Sequence, residues 1–303
     1  MLWTDLAQGE FSLGYVDVNS VRTRCLSAGR PHAMPLIFLH GSGGHLEAYQ
    51  RNILAHAEHF RVFAFDMLGH GFTDKPDHDY EIDHYVEHLA GFCDAMDLSK
   101  IHLSGESLGG WVAARFAIKH PDRLAKLVLN TAGGLSADPA VMERLRTLSM
   151  NAVRNPDRAA VRKRLEWLMH DPSVVTDDLV EMRYRIYSQP GAEKMMEHIM
   201  CLQIMDVRRR NMIPLEDLRK IKAPTLIIWT DHDPTGKIEV GETFAREIPG
   251  ARLVVMMNCG HWPQYEDAET FNELQIAFLE PLRGSPALFP PHDTHHVRII
   301  VGP

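Results

Sequence analysis

The sequence predicts an α/β fold: a mostly parallel sheet of eight strands, helices on both faces, and an all-helical insertion. Three observations predict it. Short apolar runs, such as Pro35 to Leu39 and Leu124 to Asn130, alternate with stretches of helical spacing, the pattern of strands buried on both faces and joined by crossover helices. The alternation breaks off after Leu135 and resumes near Thr225. Before that break, Lys100 to Ala114 runs from an apolar strand through Gly105-Glu106-Ser107-Leu108-Gly109 into an Ala-rich helix. The expected units are residues 1–135 as the first part of the core, 136–213 as a helical lid, 214–283 as the second part, and 284–303 as an irregular arm.

Composition narrows the partners. A chain of 303 residues with 45% hydrophobic and 24% charged residues can bury a sizeable core. A net charge of −8 without a basic block argues against nucleic acid or an anionic membrane as partner. No apolar run reaches the roughly 18 residues of a membrane span, and Met1 to Asp5 lack the basic-then-apolar order of a secretory signal. Cys25, Cys93, Cys201 and Cys259 lack metal-type spacing, so a reduced, cytoplasmic protein is expected.

In chain order, Phe11 to Val18 and Val21 to Ser27 read as two strands turned at Asn19-Ser20. Pro35 to Leu39 is a strand that ends in the glycine-rich His40-Gly41-Ser42-Gly43-Gly44, and a helical pattern follows to about His59. Arg61 to Asp66 is the next strand. Ile82 to Met96 carries apolar residues at helical spacing. After the Ser107 turn and its helix, Leu124 to Asn130 is a strand. The insertion is read as helices rich in Met, Arg and Leu, among them Val161 to Met169 and Thr176 to Tyr187, with Thr176 as N-cap. Its methionines suit adaptable packing or a deformable roof over a pocket. Thr225 to Trp229 and Arg252 to Met257 are later strands, and Lys237 to Ile248 and Ala268 to Leu279 are helices. The final stretch from Gly284 holds several prolines with His292, His295 and His296, and is expected to be irregular.

The chemistry is expected where strands end. A serine on a sharp strand-to-helix turn needs small neighbours, and the first N–H groups of the following helix favour negative charge beside its hydroxyl. A serine hydroxyl also needs an imidazole to take its proton and a carboxylate to orient that imidazole. In the chain order serine, acid, histidine, the base is His261, on the loop after the Arg252 strand. The acid is Asp233, with Asp231 as the other carboxylate on its loop. Two N–H donors for an oxyanion are expected from Leu108 and Ser42, and Gly41, Gly43 and Gly44 let the backbone approach a substrate closely.

With these pieces in place the chain resembles α/β-hydrolase fold enzymes. Within that fold it is similar to the meta-cleavage product hydrolases, which split C–C bonds of vinylogous diketones formed by aromatic ring fission. The resemblance covers about residues 11–280. It rests on His40-Gly41-Ser42-Gly43, Asn130 to Leu135, Asp171 to Leu179 with Arg183, and Cys259-Gly260-His261-Trp262-Pro263-Gln264. It implies Ser107, Asp233 and His261 as the triad and Ser42 and Leu108 as the oxyanion hole. It also implies Arg183 as a lid arginine that meets the substrate's carboxylate, and Trp262 as the aromatic neighbour of the histidine. Two features depart from the family. Glu106 stands where the family usually has Asn, and the glycine loop runs directly into Leu46 without a second Asn. A carboxylate at 106 repels an anionic dienoate unless it is neutral or paired, for instance with Arg183, and it also fits a surface acid paired with a neighbour.

The expected function is therefore a serine hydrolase acting on the C–C bond of a 2-hydroxy-6-oxo-dienoate, with a carboxylesterase or lactonase as the alternative. A hydrolase-like small-molecule receptor is the alternative from another class. Haloalkane dehalogenases and epoxide hydrolases of this fold use an Asp nucleophile, which Ser107 opposes. The chemistry calls for no cofactor and no metal. The partner is a small-molecule substrate, and homo-oligomerisation, as a dimer, is left open.

Overall fold

The computed structural model describes residues 4–280 and 297–301. Its strands are β1 Phe11–Val18, β2 Val21–Ala28, β3 Pro35–Leu39, β4 Arg61–Phe65, β5 Ile101–Glu106, β6 Leu124–Asn130, β7 Thr225–Thr230, β8 Arg252–Met256 and β9 Val297–Val301. They form one sheet in the order β1-β2-β4-β3-β5-β6-β7-β8-β9. The strands β4, β3, β5, β6, β7 and β8 run parallel, whereas β1, β2 and β9 pair antiparallel at the two edges. Strands β5 and β7 are buried along their whole length, as their continuous runs require when helices cover both faces.

The sheet has nine strands rather than the expected eight. The difference lies in the C-terminal segment, which was expected to be irregular over 284–303. Val297–Val301 instead pairs with Arg252–Met256, which would otherwise be an edge strand with unpaired N–H and C=O groups. The prolines of that segment obscure a short β-branched run at its end. His292, His295 and His296 lie outside the described residues.

Helices α1 Gln50–Ala57, α2 Ile82–Ala95 and α3 Leu108–Lys119 follow β3, β4 and β5. Between β6 and β7 the described residues form helices joined by loops, with no strand: α4 Pro139–Arg154, α5 Arg158–Glu166, α6 Asp177–Tyr187, α7 Ala192–Met200, α8 Met205–Asn211 and the short α9 Leu215–Leu218. Thr176 caps α6 by accepting from Leu179 N at 3.3 Å, with Asp177 and Asp178 in the first turn. Helices α10 Ile238–Glu247, α11 Pro263–Glu266 and α12 Ala268–Leu279 complete the cover. Among the described residues no helix is long and apolar enough to cross a membrane.

The strand order reverses between β3 and β5: the chain moves from β3 outward to β4, then returns to the other side of β3. Ligands of open α/β sheets bind in the crevice beyond the carboxyl ends at such a reversal. A buried ion network ties β2 to the segments that follow β3 and β4. Arg24 on β2 bonds Glu47 and lies 3.3 Å from Asp66, while Asp66 accepts from Leu46 N at 2.7 Å.

Candidate active site

Ser107 follows the last residue of β5 and carries φ 53° and ψ −112°, a left-handed conformation that a residue with a Cβ adopts at a cost of about 1–3 kcal/mol. Three backbone hydrogen bonds hold it there. Ser107 N donates to Asn130 O at 3.0 Å, and its carbonyl accepts from Gly133 N at 2.9 Å and Trp111 N at 3.0 Å. The glycines on either side are required by close approach. A Cβ on Gly105 would collide with the backbone of Gly109 and Gly110, and one on Gly109 with the carbonyls of Leu39 and His40. Leu108 begins α3, so its N–H is among those without an intrahelical acceptor.

The loop after β3 is pinned by His40. Met67 N donates to His40 Nε2 at 3.1 Å, which leaves Nδ1–H to donate to Gly41 O at 2.9 Å. Burial holds this imidazole far below its usual pKa, with the nearby His70 adding to the effect, so it stays neutral and keeps that tautomer. Gly41 lies directly against Glu106: a Cβ there would fall 2.5 Å from Glu106 Oε2. Gly43, at φ +67°, meets the helical region instead, where its carbonyl accepts from Tyr187 Oη at 2.9 Å.

Ser42, Glu106, Ser107, Leu108 and His261 line one cavity, with Met142 and Leu168 contributed by the helical region. Behind His261, Asp233 Oδ1 is 2.9 Å from Nδ1. Asp231 does not reach the imidazole; it accepts from Cys259 N at 3.3 Å and braces the loop. The histidine loop is clamped from several sides. Thr131 Oγ1 donates to His261 O at 3.1 Å, His261 N donates to Leu168 O at 2.6 Å, and Gly260 N donates to Glu266 Oε1 at 2.8 Å.

The structure departs from the sequence reading in three ways. No hydrogen bond joins Ser107 to His261 among the described residues; His261 Nε2 lies 3.2 Å from Glu106 Oε1 instead. Glu106 is fully buried rather than at the surface, and its partner is His261, not Arg183. Burial alone would lower the His261 pKa, but Asp233 and Glu106 outweigh it and raise the pKa to about 10. Arg183 is fully buried, but it is not on the cavity wall. Its guanidinium lies 5.2 Å from the Trp262 ring and 5.9 Å from the Tyr187 ring, and its three nitrogens have no hydrogen-bond partner among the described residues. Trp262 does line the cavity.

Sequence reasoning missed Thr235, Arg164 and Arg208, which also line the cavity. Thr235 donates twice to Asp233 Oδ1, from N and Oγ1, both at 2.8 Å, and its Oγ1 is 3.0 Å from His261 Nδ1. Its position two residues after Asp233 was the available signal, since a hydroxyl at that offset often turns back on a carboxylate. The two arginines carried no local signal, because helical Arg residues are usually solvated.

Residues 34–268 match the family model of the α/β hydrolase fold. The chain is 32% identical over 255 residues to a 2-hydroxy-6-oxo-2,4-heptadienoate hydrolase of Pseudomonas putida, covering 81% of this chain and 88% of that one. It is 32% identical over 270 residues to a 2-hydroxy-6-oxo-6-phenylhexa-2,4-dienoate hydrolase of Burkholderia cepacia, covering 86% and 92%. Among solved structures, the meta-cleavage product hydrolase CumD of Pseudomonas fluorescens IP01 superposes with a TM-score of 0.77 at 31% identity, covering 87% of this chain and 96% of that one. The chain belongs to the α/β hydrolase fold family and is similar to its meta-cleavage product hydrolases.

Proposed function

We propose that the chain is a serine hydrolase that splits the C–C bond of a meta-ring-fission product, a 2-hydroxy-6-oxo-dienoate. The observation that carries the reading is the convergence of the strained Ser107, His261 and the Asp233 behind it at one covered cavity. The names of relatives that match most of the chain support the substrate class.

In this reading Ser107 Oγ attacks the C6 carbonyl, or activates a water that does so, as His261 Nε2 accepts the proton. The N–H groups of Ser42 and Leu108 receive the oxyanion. With the 2-hydroxyl proton shifted to C5, which leaves a C2 ketone conjugated with C3=C4, the bond between C5 and C6 breaks; its electron pair passes through C4 and C3 to the C2 oxygen, which takes the proton from His261. Water adds hydroxyl to C6, releasing a carboxylic acid and a hydroxydienoate. Asp233 keeps Nδ1 protonated and turns Nε2 towards the cavity, and Thr235 fixes the carboxylate. Arg183 is assigned to the dienoate carboxylate, which it reaches only if the ring of Trp262 or the helical region shifts.

Glu106 favours a second reading. A buried carboxylate beside the serine disfavours an anionic substrate, so a carboxylesterase or lactonase on the same scaffold is the competing assignment. Turnover of a 2-hydroxy-6-oxo-dienoate, followed by loss of its absorbance, is compared with hydrolysis of p-nitrophenyl butyrate. Ester hydrolysis without dienoate turnover sinks the C–C assignment. Failure of a fluorophosphonate to label Ser107 sinks the serine mechanism and leaves the receptor reading.

A further inference from the structure

We propose that Arg164 takes the substrate's carboxylate directly at the cavity wall, so that a dienoate binds without the shift that Arg183 requires. The dienoate part of this statement rests on the function proposed above.

Helix α5 keeps its other cations at the surface. Arg158 and Lys163 are exposed, and Arg162 pairs with Glu166 and Asp177. Arg164 is turned the other way. Val161, Arg164 and Leu165, at helical spacing, form the buried face of α5. Arg164 is 2% exposed and lines the cavity that holds Ser107. The chain just beyond α5 is tied to the histidine loop: His261 N donates to Leu168 O at 2.6 Å, and Leu168 lines the same cavity. The guanidinium is thus carried by an element anchored to the proposed base.

Its charge lacks a partner. Among the described residues no carboxylate forms an ion pair with Arg164, and its hydrogen bonding is confined to Nε, which donates to Ser149 Oγ at 3.1 Å; Nη1 has no partner. A guanidinium carries five N–H donors in a flat fork, so most of this one is unused. Burial lowers its pKa to about 10, against the opposing pull of Tyr187 and with a further lowering from Arg183. The group therefore stays charged at neutral pH. A buried charge without a partner is costly, and an apolar side chain would fill this place without that cost. The missing partner has to enter through the cavity. Arg208, also on the wall, differs: its Nε and Nη1 donate to Ser136 O, Leu202 O and Gln203 Oε1, so it braces the helical region.

A carboxylate is the acceptor that fits. Two parallel N–H groups of a guanidinium meet its two oxygens, which a neutral carbonyl cannot match. Arg183 does not compete for it in this conformation. Its guanidinium is off the wall, 5.2 Å from the ring of Trp262, which does line the cavity. Tyr187 relates Arg164 to the nucleophile. Its phenol acts on the Arg164 charge and donates to Gly43 O at 2.9 Å, next to Ser42. The carboxylate end is therefore assigned to the side of the cavity formed by the loop after β3.

The test is calorimetric binding to the full chain of sorbate (hexa-2,4-dienoate) and of its neutral amide, sorbamide. Sorbate should bind roughly tenfold or more tighter, the scale of one hydrogen bond to a charged group. That margin should collapse towards one in Arg164→Met and in Arg164→Gln, with sorbamide little affected, and be partly kept in Arg164→Lys. Equal binding of the two ligands to the unsubstituted chain overturns the proposal. So does an equal loss for both in the Met and Gln variants, which marks a packing role. A margin that survives Arg164→Met and vanishes in Arg183→Met also overturns it, and gives the carboxylate to Arg183. Thermal melts confirm that each variant is folded before it is scored.

Turnover separates the subsite from the reaction. On 2-hydroxy-6-oxohepta-2,4-dienoate, Arg164→Met should lower kcat/KM by about tenfold, chiefly through KM. An unchanged kcat/KM overturns the subsite in an active dienoate hydrolase. A sorbate margin that depends on Arg164, without any dienoate turnover, sustains the subsite, and only the C–C reading falls.

Discussion

Oε1 of Glu106 lies 3.2 Å from Nε2 of His261, whose Nδ1 is 2.9 Å from Oδ1 of Asp233. The imidazole is thus held between two buried carboxylates. In the proposed mechanism Asp233 orients it, whereas Glu106 competes with Ser107 for the nitrogen that accepts the proton. A histidine in this setting has a raised pKa and, at neutral pH, too little of the free base.

This arrangement makes activity depend on pH. The kcat/KM profile should rise through an apparent pKa well above the ordinary histidine value, towards about 10. Glu106→Gln removes the charge that raises it, so the rising limb should move down by one unit or more and activity at pH 7 should increase. A limb that stays in place in Glu106→Gln refutes the coupling. The same pKa shift contributes to stability. A folded-state pKa above the unfolded value, about 6.5, stabilises the fold fully below that pH, and this contribution fades as pH rises through about 10.

Ser107→Ala should lower the rate on the proposed substrates by roughly 10³-fold or more while leaving the melting temperature unchanged or higher. Replacing the nucleophile removes the attacking oxygen but leaves the backbone that holds φ at 53°. Stopped-flow turnover and calorimetry decide it. An activity loss below tenfold is incompatible with Ser107 as nucleophile.

Thr235→Val removes the hydroxyl that donates to Asp233 Oδ1 at 2.8 Å and lies 3.0 Å from His261 Nδ1. The carboxylate then has more freedom to turn from the imidazole. A fall in kcat of about tenfold with KM nearly constant is expected, on the scale of one lost hydrogen bond to a charged group. A change confined to KM points to a substrate contact instead.

Arg24→Met leaves Glu47 and Asp66 buried without their shared cation. It should cost about 3–5 kcal/mol, read from the shift in urea midpoint. The pair also predicts acid sensitivity. Burial raises the Glu47 pKa, but His45 and Arg24 outweigh it and hold the pKa at about 2. Stability from Glu47 is therefore present above the unfolded carboxylate value and lost as pH falls through about 2. Arg24→Met should remove part of that slope.

The sequence alone determined the alternation of strands and helices, the helical interruption after β6, and the strand-turn-helix that presents Ser107. These are local matters: an apolar run of five residues or a glycine beside a serine has few conformations open to it. Asp233 and His261 were legible because strand ends place them in a fixed chain order.

Tertiary structure decided the rest. Glu106 looks like a surface acid until its neighbours bury it against Gly41 and His261. Val297–Val301 becomes a strand only because the edge of β8 offers unpaired backbone groups. Arg164 and Arg208 read as ordinary helical arginines until the helical region turns them onto the cavity. Burial and charge pairing arise between residues far apart in the chain, so no window of sequence contains them.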